Sequence, residues 1–210
     1  MKEDILEQLI DGYYLRQPST FTKHNIKYRP DQKSITKGNK NKYSVHSDID
    51  ILSVNLKTKE TNVVSCKSWQ GGFDVEKYLD WLSKPDKINT KVSGREVWKS
   101  FRELTDPIWS KAFRDKILEE TNSTQFKYII AVTKLKNIGK IDEFCKNPKF
   151  LDMLSDNGKF DVKIGFLTLE EIITKIQEEN STTAVESTEI GRFLQLLNAA
   201  DIKFERKNRN

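Results

Sequence analysis

Apolar residues recur at helical spacing over residues 3–15, where Ile5, Leu6, Leu9, Ile10 and Tyr13 share a side and Glu3 and Glu7 fall toward its edge. One helix is expected there, broken near Gly12 or soon after. Residues 21–28 alternate loosely and run into Pro30, the pattern of a strand leaving into a turn. From Tyr43 the chain turns β-rich: Val45, Ile49, Ile51, Leu52, Val54 and Leu56 precede the polar turn KTKETN, and NVVSCK returns. This predicts a hairpin, ended by Gly71 and Gly72. Asp74 then stands where a helix over residues 75–83 needs its N-cap.

After a break at KPDKINTKVSG, residues 95–120 predict one long helical region kinked at Pro107, with Trp98 and Trp109 as core rather than as ligand-stacking groups. The β-branched run KYIIAVTK predicts a central strand, residues 141–154 a helix, DVKIGFLT a further strand and LEEIITKIQEE a further helix. STTAVEST reads as a linker, followed by an amphipathic helix over residues 189–200 and a charged tail. The order predicts a mixed sheet covered by helices on both faces. The expected division is a main domain over residues 1–180, with linker, C-terminal helix and tail over residues 181–210.

A length of 210 residues suits one α/β domain with a proper core. With 36% hydrophobic and 32% charged residues, the composition excludes disordered and membrane classes. No apolar run reaches the ~18 residues of a membrane span, and acids interrupt the opening MKEDILEQLIDGYY where a signal peptide would be apolar. A cytoplasmic protein is expected, without a membrane partner. Cys66 and Cys145 lie far apart with no partner at ligand spacing, so neither zinc nor a disulfide framework is indicated. A net charge of +5 permits nucleic-acid binding, but the Lys, Asn and Ile usage of an AT-rich coding sequence gives the same balance.

Candidate chemistry lies in His46-Ser47-Asp48-Ile49-Asp50-Ile51-Leu52 and, across the turn, Val63-Val64-Ser65-Cys66-Lys67. Strand alternation puts Asp48 and Asp50 on one face, with Ile49 and Ile51 on the other, and gives Ser65 and Lys67 a shared face. If the two faces coincide, a carboxylate pair sits beside a lysine. Hard oxygen ligands can hold Mg²⁺, and the lysine can orient or deprotonate a water attacking a phosphate. The same residues equally make a salt-bridged surface hairpin. His46 shares the Asp48 face, where it either meets phosphate or hydrogen-bonds a loop.

The segment SDIDILSVNLKTKETNVVSCKSW resembles the PD-(D/E)XK nuclease superfamily, in which a strand carrying an Asp turns into a strand carrying (D/E)-x-K. The match covers residues 3–69, and the later elements by order alone. The resemblance implies a restriction endonuclease-like mixed β-sheet core flanked by helices, here with an extra C-terminal helix. It also implies a metal-dependent DNA endonuclease using Mg²⁺ or Mn²⁺, in restriction, other defence or DNA repair. Asp50 matches the metal-binding Asp, Lys67 the catalytic lysine, and Cys66 the residue whose backbone carbonyl often completes the metal shell.

Ser65 departs from the family pattern, standing where most members carry an acid, and serine is a poor divalent-metal ligand. Some superfamily members with S-x-K take the acid from the following helix, here Glu76 or Asp80; others take it from the first helix, here Glu7 and then Glu3. Asp48 is a further source, and a site that holds metal poorly and does not cut is the remaining one. Gln70 follows the lysine where several branches carry a polar residue directed at the site. A basic loop of Lys33, Lys37, Lys40 and Lys42, with Arg95, Lys99 and Arg102, either follows a DNA backbone or forms a solvated face. Double-strand cutters of this fold commonly act as homodimers, because two strands need two sites. The competing readings are a non-catalytic descendant that binds nucleic acid or protein, and an RNA-directed nuclease.

Overall fold

A computed structural model describes residues 4–31, 35, 43–179 and 189–202. Helix α1 (Ile5–Leu15) opens on Asp4, whose side chain accepts the Leu6 N–H at 2.8 Å, and continues through the buried Gly12 to end soon after it at Leu15, within the expected range. Strands β1 (Thr20–Tyr28), β2 (Ser47–Asn55) and β3 (Thr61–Lys67) form an antiparallel meander. The chain then makes β4 (Phe73–Asp74), helix α2 (Val75–Ser83), a small hairpin of β5 (Lys91–Val92) and β6 (Arg95–Glu96), and helices α3 (Arg102–Thr105) and α4 (Pro107–Thr121). Next come β7 (Gln125–Val132), β8 (Leu135–Lys136), α5 (Ile141–Cys145), α6 (Pro148–Ser155), β9 (Asp161–Thr168), α7 (Leu169–Glu179) and α8 (Glu189–Ala199).

The main sheet has the order β1-β2-β3-β7-β9, antiparallel as far as β3 and parallel beyond it. Helices cover both faces, as the pattern of elements predicts. On one face α1, α7 and α8 bury Leu6, Ile10, Ile172, Ile176 and Leu194 against Ile51, Val64 and Ala131. On the other, a larger aromatic core that includes Phe73, Phe101, Trp109, Phe113 and Phe144 lies over Ile49, Leu52, Val63, Tyr128 and Ile130. Burial on both faces is why β7 reads as an apolar run without alternation. The expected C-terminal helix joins the smaller core through Leu194, whereas the expected linker and tail lie outside the described residues. Among the described residues no helix is long and apolar enough to cross a membrane.

Two predicted helices are divided. Residues 95–120 are not one kinked helix: Arg95 and Glu96 pair in a hairpin, Val97–Ser100 form a 3₁₀ turn, and α4 starts afresh at Pro107. Proline lacks the N–H that an interior position needs but suits the first turn, and Asp106 caps the new helix by accepting the Ile108 and Trp109 N–H groups at 3.0 and 3.3 Å. Asn147 and Pro148 divide residues 141–154 in the same way.

Strand alternation also fails at one position. Ile49 packs into the larger core and Ile51 into the smaller, so they do not share a face. On the neighbouring strand Asn25 adopts a left-handed conformation, φ 51°, and the ladder passes from His24↔Ile51 to Ile26↔Ile49 without pairing Asn25 to Asp50. The pleat therefore reverses at Asp50. Because a β-branched side chain pays heavily for that conformation, Asn25→Val should lower stability by about 1–2 kcal/mol while Asn25→Gly is near neutral, read as urea midpoints. Equal midpoints for the two variants would contradict this account of the reversal.

Candidate active site

Strands β2 and β3 pair only as far as Ile51↔Val64, and the next residue of β2 is Asp50. Past that point β3 has lost its β2 partner, and the Asp50 carboxylate takes the place of the missing backbone acceptor, receiving the Cys66 N–H at 2.6 Å. Asp50 thus sits in a fork between two strands. On the larger-core face, Lys67 Nζ donates to Ser65 Oγ at 2.7 Å and lies 5.3 Å from the centre of the Phe101 ring. Ser65 and Lys67 share a face, as alternation along β3 requires.

Burial raises the pKa of Asp50 against the opposing pull of Lys67 and the Cys66 N–H, and Asp48 and Glu103 add repulsion. Glu7, on α1, is pushed up to about 7, first by burial and then by Asp50 and Asp4; His24 partly opposes this and Asp48 adds to it. Burial, Asp50 and Glu7 drive the Cys66 thiol upward, so this residue offers the site its backbone rather than a thiolate. The fork therefore draws acids from both faces of the sheet. Holding like charges together costs stability, a pattern typical of functional sites.

Lys67 and Asp48 act on Asp50 by their charges, Asp50 in turn acts on Glu7, and Cys66 bonds Asp50 through its N–H, whereas no such interaction with Asp50 links the acids of the following helix to it. Glu76 is exposed and adds only slightly to the upward shift that Glu143 gives Lys140, while Asp80 is held at 2.5 Å by both Lys84 and Lys87, whose hydrogen bonds lower its pKa. Tyr78, Leu79 and Leu82 turn the opposite side of α2 into the core, which leaves these acids on its outer side. His46 is exposed just before β2. Glu3, Lys33, Lys37, Lys40 and Lys42 lie outside the described residues. Among the described residues no three metal-ligating side chains converge.

Beyond Lys67 the chain turns at Gln70, which is exposed, and Thr133 Oγ1 fixes that turn through the Trp69 carbonyl at 2.5 Å. Gly72, at φ 76°, lies so close to Lys134 that a Cβ would meet its side chain at 2.5 Å. Gln70 and Arg95 line one cavity of about 620 Å³ with Trp69 and Tyr78. Arg95 and Lys99 line an adjoining groove of about 530 Å³ with Lys91 and Arg102. The acid of that groove, Glu96, is bound to Lys99 at 2.7 Å. Both cavities reach Ser100, whose neighbour Phe101 carries Lys67 over its ring, but neither is lined by Lys67 or Asp50.

One residue of the site has no signal in the sequence. Glu103, only 5% exposed, accepts hydrogen bonds from the Tyr28 and Tyr128 hydroxyls and adds its charge to the field at Asp50. An acid between Arg102 and Leu104 reads as part of a solvated helix face, and no spacing links it to Ser65.

Compared with protein-family models, curated proteins and solved structures, the chain matches none.

The acid cluster sets a pH dependence of stability. For Glu7 the folded pKa is raised from 4.5 to about 7, so its stabilising contribution is complete below pH 4.5 and is lost as pH rises through 7. Glu7→Gln should therefore raise the melting temperature at pH 8 by about 2–4 °C, roughly 1 kcal/mol after solvent screening, and leave it unchanged at pH 4. A shift of the same size at both values would show that Glu7 is not strained by its neighbours.

Proposed function

We propose that this chain is a metal-dependent DNA endonuclease of the PD-(D/E)XK superfamily, built on a restriction endonuclease-like core, with Asp50 and Lys67 at its centre. The observation that carries the reading is the fork: a partly buried aspartate where two strands part, bonded to the Cys66 N–H, with a lysine on one side and Glu7 on the other.

A hard divalent cation such as Mg²⁺ or Mn²⁺ fits the donors present. Mg²⁺ needs only one or two carboxylates and keeps its waters, and a cation would offset both the burial and the neighbouring acids that push Glu7 upward. Asp50, Glu7 and the Cys66 carbonyl are the groups that would hold it, with Asp48 next in line. When bound, it supplies Lewis acidity toward the scissile phosphate and lowers the pKa of a coordinated water. Lys67 directs its ammonium at the charge that grows on the phosphate oxygens, or orients the attacking water. Ser65 holds Lys67 in place. Arg95 and Lys99, with Lys91 and Arg102, line the basic groove and Gln70 lines the cavity beside it; these groups suit a phosphate backbone.

The second reading, a non-catalytic binding module of the same ancestry, draws on Ser65 and on the lack of three converging metal-ligating side chains among the described residues. Restriction, other defence or DNA repair would suit the proposed activity, as would a homodimer that brings two sites to two strands.

With plasmid and linear DNA plus Mg²⁺ or Mn²⁺, the chain should cut, EDTA should stop it, and Lys67→Ala should slow cutting by about 10²–10³-fold without weakening DNA binding. DNA that is shifted in a gel but never cut would favour the binding module, and cutting of RNA alone would change the substrate. Arg95→Ala with Lys99→Ala should weaken binding of all sequences alike and reduce the slope of log affinity against log salt by about 1–2. An unchanged slope would remove the groove from the DNA path.

A further inference from the structure

Glu103 lies in the short helix α3, within the aromatic core. Its Oε1 accepts a hydrogen bond from the Tyr128 hydroxyl, and its Oε2 accepts from the Tyr28 hydroxyl at 3.4 Å. Burying an acid among aromatic rings is unfavourable even with such partners, and apolar residues of similar volume would serve the fold at least as well. The arrangement therefore calls for a role other than stability.

Hydrogen bonding from the site leads to the same carboxylate. Lys67 Nζ donates to Ser65 Oγ at 2.7 Å, Tyr128 donates to Glu103, and the Ser65 side chain faces the Tyr128 phenol between them, where it favours the charged form of that phenol. The sheet register produces this contact: Tyr128 pairs with Val63 on the neighbouring strand, and Ser65 lies two residues along β3 on the same face. With the Ser65 hydroxyl turned toward Tyr128, these groups would form a chain of donors from an ammonium to a buried carboxylate.

We propose that Glu103 is a positioning residue for Lys67, acting through Tyr128 and Ser65, and that serine occupies the place of an acid because it must both accept and donate. This rests on the reading of Lys67 as the lysine that meets the phosphate. A carboxylate at residue 65 would only accept, would leave the Tyr128 phenol without its donor, and would repel Glu103. Where most members of the resembled superfamily carry an acid two residues before the lysine, this chain has a hydroxyl, and an acid on that side of the sheet is Glu103 in the core. Its effect is to fix the direction of the Lys67 ammonium.

The test uses the full chain with Ser65→Ala, Tyr128→Phe and the double variant, each of which keeps the shape of its site. With Mg²⁺ and DNA, each single change should lower kcat by about 10-fold with KM unchanged, and the double variant should be no slower than the slower single one, because both break the same chain. Tyr28→Phe, which removes the bond to the other oxygen, should leave kcat within about 2-fold. Losses that multiply in the double variant, or full activity in Tyr128→Phe, would overturn the proposal.

A readout independent of cleavage is the order parameter of the Lys67 Cε methylene in ¹³C-lysine-labelled protein. It should fall in Tyr128→Phe and in Glu103→Gln. An unchanged value overturns the positioning role even if the wild type cuts, whereas a fall in a protein that cuts nothing upholds the role and overturns the nuclease reading instead.

Discussion

The hydrogen bond from the Cys66 N–H to the Asp50 carboxylate is the contact around which the site is built. It closes the end of a hairpin ladder with a side chain instead of a backbone carbonyl, so β2 and β3 can part without leaving a buried donor unpaired. Because the strands part there, groups from both faces of the sheet can approach one point. Glu7 arrives from α1 on one side and Lys67 projects on the other, with Glu103 beyond it in the core. A continuous hairpin would have kept these groups apart, since each face of a sheet is sealed from the other by the pleat.

The parallel half of the sheet serves this point indirectly. Strand β7 runs alongside β3 through Lys67, so β3 is held in register by a neighbour after β2 has left it. The same strand carries Tyr128, and the turn that follows holds the Trp69 carbonyl through Thr133. The β5–β6 hairpin and the Gln70 turn line the two cavities that meet at Ser100.

The electrostatic pattern suits a site more than a scaffold. A fold selected for stability alone would not bury Glu7 beside other acids, where burial and then Asp50 push its carboxyl up to about 7, nor bury Glu103 among tyrosines. Elsewhere the chain treats its charges in the ordinary way: Asp80 is shared by Lys84 and Lys87, and Arg114 is buried against Asp156, Ser110 and the Met153 carbonyl.

Local signals in the sequence determined α2 with its Asp74 cap, the β2–β3 hairpin, the strands β7 and β9 and the sharing of a face by Ser65 and Lys67, because caps, turns and the pleat act between residues a few positions apart. They did not determine the division at Pro107, where a proline suits a helix interior badly and a helix start well, and only packing decided which applied. Nor could they orient Asp50: alternation assigned it the face of Asp48, but Asn25, on a strand paired through the tertiary fold, reverses the pleat at that residue. Choosing Glu7 over Glu76 as the acid near Asp50, and finding Glu103 at all, required knowing which helix lies over which strand. That order follows from burial of apolar area summed over the whole chain, a quantity that no local motif carries.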